Sequence, residues 1–221
     1  RLPRYHSRYE VQQTAPRPRE MPLYAHSTSY RDWVQAWTLW LIRSSRPGDA
    51  ASLFHIFTSV VRDHDVGIAQ YLLPHLVLHI LISGSSQQRR TVLGESLAVL
   101  ADQAHPALGY EPERRRLTAQ TLFHVLDHVG HWMRRMRLVP LRMARRSRWR
   151  DALSDVQAIM DELSPDLLAQ ASLQCDAYAR ALLHFEYRIR AMRPQPSETL
   201  QPYYETMHEI YASLEQSLIH I

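Results

Sequence analysis

Three histidines, His124, His128 and His131, fall at i, i+4 and i+7 with Asp127 beside them, a spacing that gathers imidazoles near one face of a helix. Two such imidazoles can ligate Zn²⁺, but a zinc enzyme would need further converging ligands and a hydrogen-bonded shell to orient them. With 13 His in the chain, pairs at helical spacing arise by chance, and His75 with His79 forms another. The trio is therefore read as amphipathic histidines on a helix, with no metal ligand and no bound cofactor expected in this segment. The single cysteine, Cys175, has Asp176 beside it and no activating cation in its own turn. It reads as a buried, inert thiol in a reducing intracellular protein. No G-x-S-x-G elbow is present, so no nucleophile is assigned.

Phosphoryl transfer is excluded on composition. The 221 residues contain no Lys and no Asn, and the six Gly at 48, 67, 84, 94, 109 and 130 form no phosphate-cradling loop. A P-loop or a kinase active site requires such a loop and a Lys, and the kinase also an Asn on its metal. No catalytic residue is expected.

The charge distribution is uneven. Between Arg114 and Arg150 there are 11 Arg and one acid, Asp127, a local charge of +10 against +4 for the whole chain. Arg134, Arg135, Arg142, Arg145, Arg146 and Arg148, flanked by Trp132 and Trp149, form a candidate basic interaction patch of the kind that contacts nucleic acid. The competing and preferred reading is a solvated inter-helix loop. In that reading its arginines are balanced by the acids Asp151, Asp155, Asp161, Glu162 and Asp166 downstream.

These groups must be positioned by helices, because no strand signal occurs. Residues 1–27, with four prolines, read as a linker or loosely docked arm, and 28–221 as one helical segment with a basic loop at about 134–150. A first helix over 30–44 repeats Trp33, Trp37, Trp40 and Leu41, and Arg46-Pro47-Gly48 stops it. A second, capped by Asp49, carries the stripe Leu53, Ile56, Phe57, Val60 and Val61. A third spans 66–83, is apolar on most sides, and should kink at Pro74. It is read as a helix buried in protein rather than a membrane span. A fourth begins near 86, and a fifth after Pro112 carries Leu122, Leu126 and Trp132. The sixth spans 151–163. The seventh opens at Ser164-Pro165, runs unbroken to 192, and forms an αα-hairpin with the sixth. The eighth begins after Ser197. Ala177, Ala181 and Phe185 share one face, as in tetratricopeptide-like pairs. The expected fold is all-α: an irregular α-solenoid of antiparallel helix pairs.

Four strings in register give this pattern a family resemblance. They are Tyr71-Leu72-Leu73-Pro74-His75 behind the Trp33/Trp37 helix; Gln120-Thr121-x-Phe123-x-x-Leu126-Asp127-His128-x-x-x-Trp132; Ala177-Tyr178-x-Arg180-Ala181-x-x-His184-Phe185-Glu186; and Leu200-Gln201 with Tyr204 and Met207-His208-Glu209. Together they resemble the start of the FAT region of the ATR-like checkpoint kinases, members of the PI3-kinase-related family. The resemblance covers about 32–209 and lapses over 1–27 and 210–221.

It implies a non-catalytic helical collar within a very large nuclear serine/threonine kinase. ATP and a divalent metal belong to a kinase domain that this chain lacks. The implied partners are the remainder of the parent chain and an ATR-interacting protein. The residues expected to carry the packing are Trp33, Trp37, Tyr71, Leu72, Pro74, Phe123, Leu126, Trp132, Tyr178 and Phe185. The rival expectation is a free-standing helical adaptor that binds nucleic acid or protein through the arginine-rich stretch.

Overall fold

The computed structural model describes residues 20–63, 66–105, 111–138, 147–192 and 197–219. Among these residues the chain is all-α, with eleven helices and no strand: α1 (Leu23–His26), α2 (Tyr30–Ser44), α3 (Asp49–Ile56), α4 (Thr58–Asp63), α5 (Val66–Ser83), α6 (Ser86–Ala104), α7 (Pro112–Leu138), α8 (Ser147–Asp161), α9 (Pro165–Leu173), α10 (Tyr178–Met192) and α11 (Ser197–Ile219). They pack successively as an irregular helical-repeat solenoid. The α2 helix lies on α5, α5 on α7 and α8, α6 on α7 and α9, α9 on α10, and α10 on α11.

Local chemistry sets most boundaries. The Ser29 hydroxyl accepts the Asp32 amide and starts α2. Ser85 and Gln88 form a reciprocal capping box at the start of α6. The Gln88 side-chain amide also reaches back to the Ser44 carbonyl at 2.7 Å, satisfying an acceptor at the end of α2. The central helix, α5, runs on through Pro74 and buries Leu72, Leu73, Pro74, Leu76, Val77, Ile80 and Leu81. It has the length and hydropathy of a membrane span, yet these side chains are inside the packing against its neighbours.

Five expectations are corrected. The 49–63 stretch is not one helix with a buried stripe: it divides at Phe57, and of the expected stripe only Val61 is buried, while Leu53, Ile56 and Val60 are 56%, 70% and 41% exposed. The 165–192 stretch is likewise two helices, parted by a turn at 174–177 in which Asp176 takes a left-handed conformation, φ 58°. That backbone region tolerates Asp better than most residues, so the chain reverses there without Gly or Pro. The hairpin is therefore α9 with α10, and α8 packs instead on α5, α6 and α7. Cys175 lies in the turn rather than within a helix. Tyr71, expected among the packing residues, projects outward at 72% exposure, because the buried face of α5 is set by Leu72, Leu73 and Leu76.

The main core joins Trp33, Trp37, Leu41, Leu73, Leu76, Ile80, Leu100, Leu122 and Val129 into one cluster. A smaller cluster of Ala169, Ala181, Phe185 and Ile210 holds α9, α10 and α11 together. Burial of each large side chain contributes about 1.5–3 kcal/mol.

Candidate functional site

The most elaborate polar constellation among the described residues is a buried anchor for residues 20–27. Glu95, in the middle of α6, is fully inaccessible. Its Oε2 accepts the Leu23 amide at 2.6 Å and its Oε1 the Tyr24 amide at 2.8 Å. The same Oε1 accepts the indole Nε1–H of Trp33 at 2.7 Å. Leu23 and Tyr24 open α1, whose preceding residue, Pro22, supplies no side-chain cap. The Glu95 carboxylate therefore caps α1 from another helix, meeting donors that a helix start leaves unpaired.

Tyr24 completes the anchor. Its hydroxyl donates to Asp102 Oδ2 at 2.5 Å, and its carbonyl accepts Arg114 Nη2 at 2.7 Å. The Arg114 guanidinium carbon also sits 4.7 Å over the Tyr24 ring. Burial raises the Glu95 carboxyl above its ordinary value; the hydrogen bonds from Trp33, Leu23 and Tyr24 and the charge of His26 pull it back in part. Burial, and then Asp102, push the Tyr24 phenol up. Trp33 packs against Trp37, with ring centroids 5.3 Å apart and the planes tilted by 31°. These are bonds that hold one segment against another, without an open position for a substrate.

Sequence reasoning missed Glu95, Asp102 and Arg114. One signal was available: Val92, Glu95, Ser96, Val99 and Gln103 share the buried face of α6, so an acid stands on an apolar stripe at helical spacing.

The other candidates separate. His128 meets His75 edge-on, ring centroids 4.6 Å apart, while His124 and His131 are exposed. Among the described residues no group of three His, Cys, Asp or Glu is placed to hold a metal. Burial lowers the His128 pKa, helped by His75, His124 and His131. Asp127 forms a paired hydrogen bond with Arg180, Nη1–Oδ1 2.8 Å and Nη2–Oδ2 2.5 Å. With Arg180 also 4.8 Å over the Phe123 ring, this ties α10 to α7. Burial and Asp176 push the Cys175 thiol up to about 11.

Of the basic patch, Arg134 and Arg135 are exposed at the end of α7. Arg142, Arg145 and Arg146 lie outside the described residues, as does the side chain of Arg148. Arg137 hydrogen-bonds Gln157. Among the described residues, Asp155 pairs with Arg89 at 2.5 Å and Asp166 with Arg188 at 3.2 Å. Each of these bridges joins two helices, α6 to α8 and α10 to α9. Of the packing residues expected from sequence, Trp33, Trp37, Leu72, Pro74, Phe123 and Phe185 are buried, and Leu126, Trp132 and Tyr178 are half-buried.

Comparison with known proteins places the chain in a family. Residues 17–217 match the family model for the M-HEAT region of serine/threonine-protein kinase ATR. The chain belongs to that family. Among its relatives, protein kinase rad3 of Schizosaccharomyces pombe is 26% identical over 209 residues, covering 88% of this chain and 9% of rad3. Serine/threonine-protein kinase ATR of Oryza sativa subsp. indica is 28% identical over 195 residues, with 76% and 7% covered. Serine/threonine-protein kinase MEC1 of Candida albicans is 23% identical over 220 residues, with 91% and 9% covered. The M-HEAT segment thus spans less than a tenth of the length of these curated relatives. No solved structure matches it. M-HEAT is a different region name from the FAT region suggested by the sequence strings; common to both is a helical region of an ATR-like kinase.

Proposed function

We infer that this M-HEAT segment is a non-catalytic scaffold of an ATR-like serine/threonine kinase in the DNA damage and replication checkpoint. Its work is mechanical: stacked helix pairs bury their apolar faces and hold a rigid curved support for other parts of the parent chain. The observation that carries this reading is the family match over residues 17–217. The anchor at Glu95 and the Asp127–Arg180 bridge, both interhelix ties, support it. In this reading ATP and a divalent metal serve a kinase domain elsewhere in the parent, which acts in the nucleus with an ATR-interacting protein. The segment itself takes no cofactor, and α5 is an internal helix rather than a membrane span. The comparisons lend no support to the alternative, a free-standing adaptor working through the arginine-rich stretch.

The test is made in the parent kinase. Leu122→Asp buries an unpaired carboxylate, costing several kcal/mol, and should abolish phosphorylation of checkpoint substrates after replication stress. Arg134→Ala with Arg135→Ala should leave that phosphorylation intact. Normal signalling from a parent whose segment is unfolded by Leu122→Asp would overturn the scaffold role.

A further inference from the structure

Apart from the Glu95 anchor, a cleft of about 770 Å³ opens where the end of α2, the α5–α6 turn and the start of α8 meet. Its lining combines Arg46 and Arg89, the serines of the turn, and Trp149 with Ile82. Two interhelix ties fix its walls. The Gln88 side-chain amide on the Ser44 carbonyl joins α6 to the end of α2, and Asp155 of α8 holds the Arg89 guanidinium at 2.5 Å. Arg89 is thereby set in place without being saturated. Its Nη1 donates to Asp155 and its Nη2 to the Ile82 carbonyl at 3.4 Å, while the buried Nε–H has no partner. Arg46 and the Ser86 hydroxyl are exposed and form no hydrogen bond or ion pair among the described residues. No carboxylate belongs to the lining, and two guanidiniums against the single Asp155 leave the cleft positive.

The chemical complement is an anion rich in acceptor oxygens, joined to something apolar. Guanidinium forks match phosphate, and an arginine already held in place loses little freedom on binding. The serine hydroxyl adds a donor beyond what the two oxygens of a carboxylate would use. Trp149, 52% exposed, and Ile82 offer an apolar shelf beside the charges. A nucleoside triphosphate fits less well, because the lining holds no carboxylate for its Mg²⁺. A nucleic-acid strand is better served by a track of cations than by one recessed pair.

We propose that this cleft docks a phosphoserine- or phosphothreonine-bearing segment of a partner protein. The phosphate sits between Arg46 and Arg89, and a flanking apolar side chain rests on Trp149. Such a site adds a switchable contact to the scaffold role, because phosphorylation supplies the charge that the two arginines read. It rests on that role only in placing the chain within a longer kinase.

The experiment measures fluorescence anisotropy with the purified full-length parent kinase. The probes are fluorescein-labelled peptide pools, random on either side of one fixed phosphoserine, serine or glutamate. The phosphoserine pool should bind, the glutamate pool more weakly and the serine pool not at all, and added salt should weaken the binding. Arg46→Ala should lower the affinity about tenfold and Trp149→Ala severalfold, both with an unchanged melting temperature. Failure of the phosphoserine pool to bind, equal binding of the three pools, or an Arg46→Ala parent that binds like the wild type would overturn the proposal. So would displacement of the peptide by ATP or by single-stranded DNA at lower concentration than by unlabelled phosphopeptide. None of these readouts depends on checkpoint signalling, so failure of the scaffold reading and failure of this site are told apart.

Discussion

Trp33 and Glu95 lie 62 residues apart, and the indole of the one donates to the same carboxylate oxygen that accepts the Tyr24 amide. Three donors from two segments thus converge on one buried side chain, and the contact fixes both α1 and the start of α2 to α6. Replacing such an acceptor leaves buried donors unpaired, at roughly 1–3 kcal/mol for each group that water cannot reach.

Glu95→Ala is accordingly expected to destabilise the segment by about 3 kcal/mol or more. Glu95→Gln, which keeps the shape but loses the charge-assisted bonds, should cost less. Urea denaturation followed by Trp fluorescence checks both, since Trp33 reports on the site directly. Equal stability of Glu95→Ala and wild type would refute the anchor.

Acidification should weaken the fold. Burial lowers the pKa values of His79, His128 and His184 from the ordinary 6.5, and further positive neighbours act on the last two. The unfolded chain then binds more protons than the folded one in the window below 6.5, so stability falls as pH drops through it. Urea midpoints at pH 7.5 and 5.5 should differ in that direction, and His79→Gln should reduce the difference. Because the raised carboxyl of Glu95 acts in the opposite sense, the decisive comparison is with the variant: a pH difference unchanged in His79→Gln would contradict the burial of that ring.

Cys175 should be inert in the native state. With its thiol raised to about 11 by burial and Asp176, almost no thiolate exists near pH 8. A chromogenic disulfide reagent should react only after denaturation. Rapid reaction with the folded chain would show the 174–177 turn to be open.

Two glycines should respond oppositely to alanine. A Cβ on Gly84 would lie 2.4 Å from the Ile80 carbonyl oxygen, whereas one on Gly94 meets nothing within 4 Å. Gly84→Ala is expected to destabilise by about 1–3 kcal/mol through forced backbone movement. Gly94→Ala, in the interior of α6, should stabilise by about 0.5–1 kcal/mol. Thermal melts of the two variants measure the contrast.

The helices whose ends are written in local chemistry were legible from the sequence. The starts expected near 30, near 86 and after Pro112 are where the structure puts them, with Ser29 and Ser85 as the caps, whereas α3 begins at Asp49 itself after Gly48 and is not capped by Asp49. The breaks at Phe57 and at 174–177 were not legible, because neither contains Gly or Pro, and the left-handed conformation that Asp176 takes is uncommon for a residue other than Gly. Periodicity over 49–63 suggests one buried stripe, but it cannot foresee the break at Phe57 or which side of a helix finds a neighbour, and Leu53, Ile56 and Val60 are exposed. Glu95 was hidden for a related reason: a carboxylate on a helix reads as solvent-facing until its donors, 62 to 72 residues away, are brought to it.

Four residues are too few to sustain a helix on their own, and α1 survives by borrowing an acceptor from α6. The course of the polypeptide as it joins this body is therefore dictated by long-range architecture, not by preferences along the backbone. A pull exerted from upstream would be transmitted through Leu23 and Tyr24 straight to the interior of the stack, bypassing its rim.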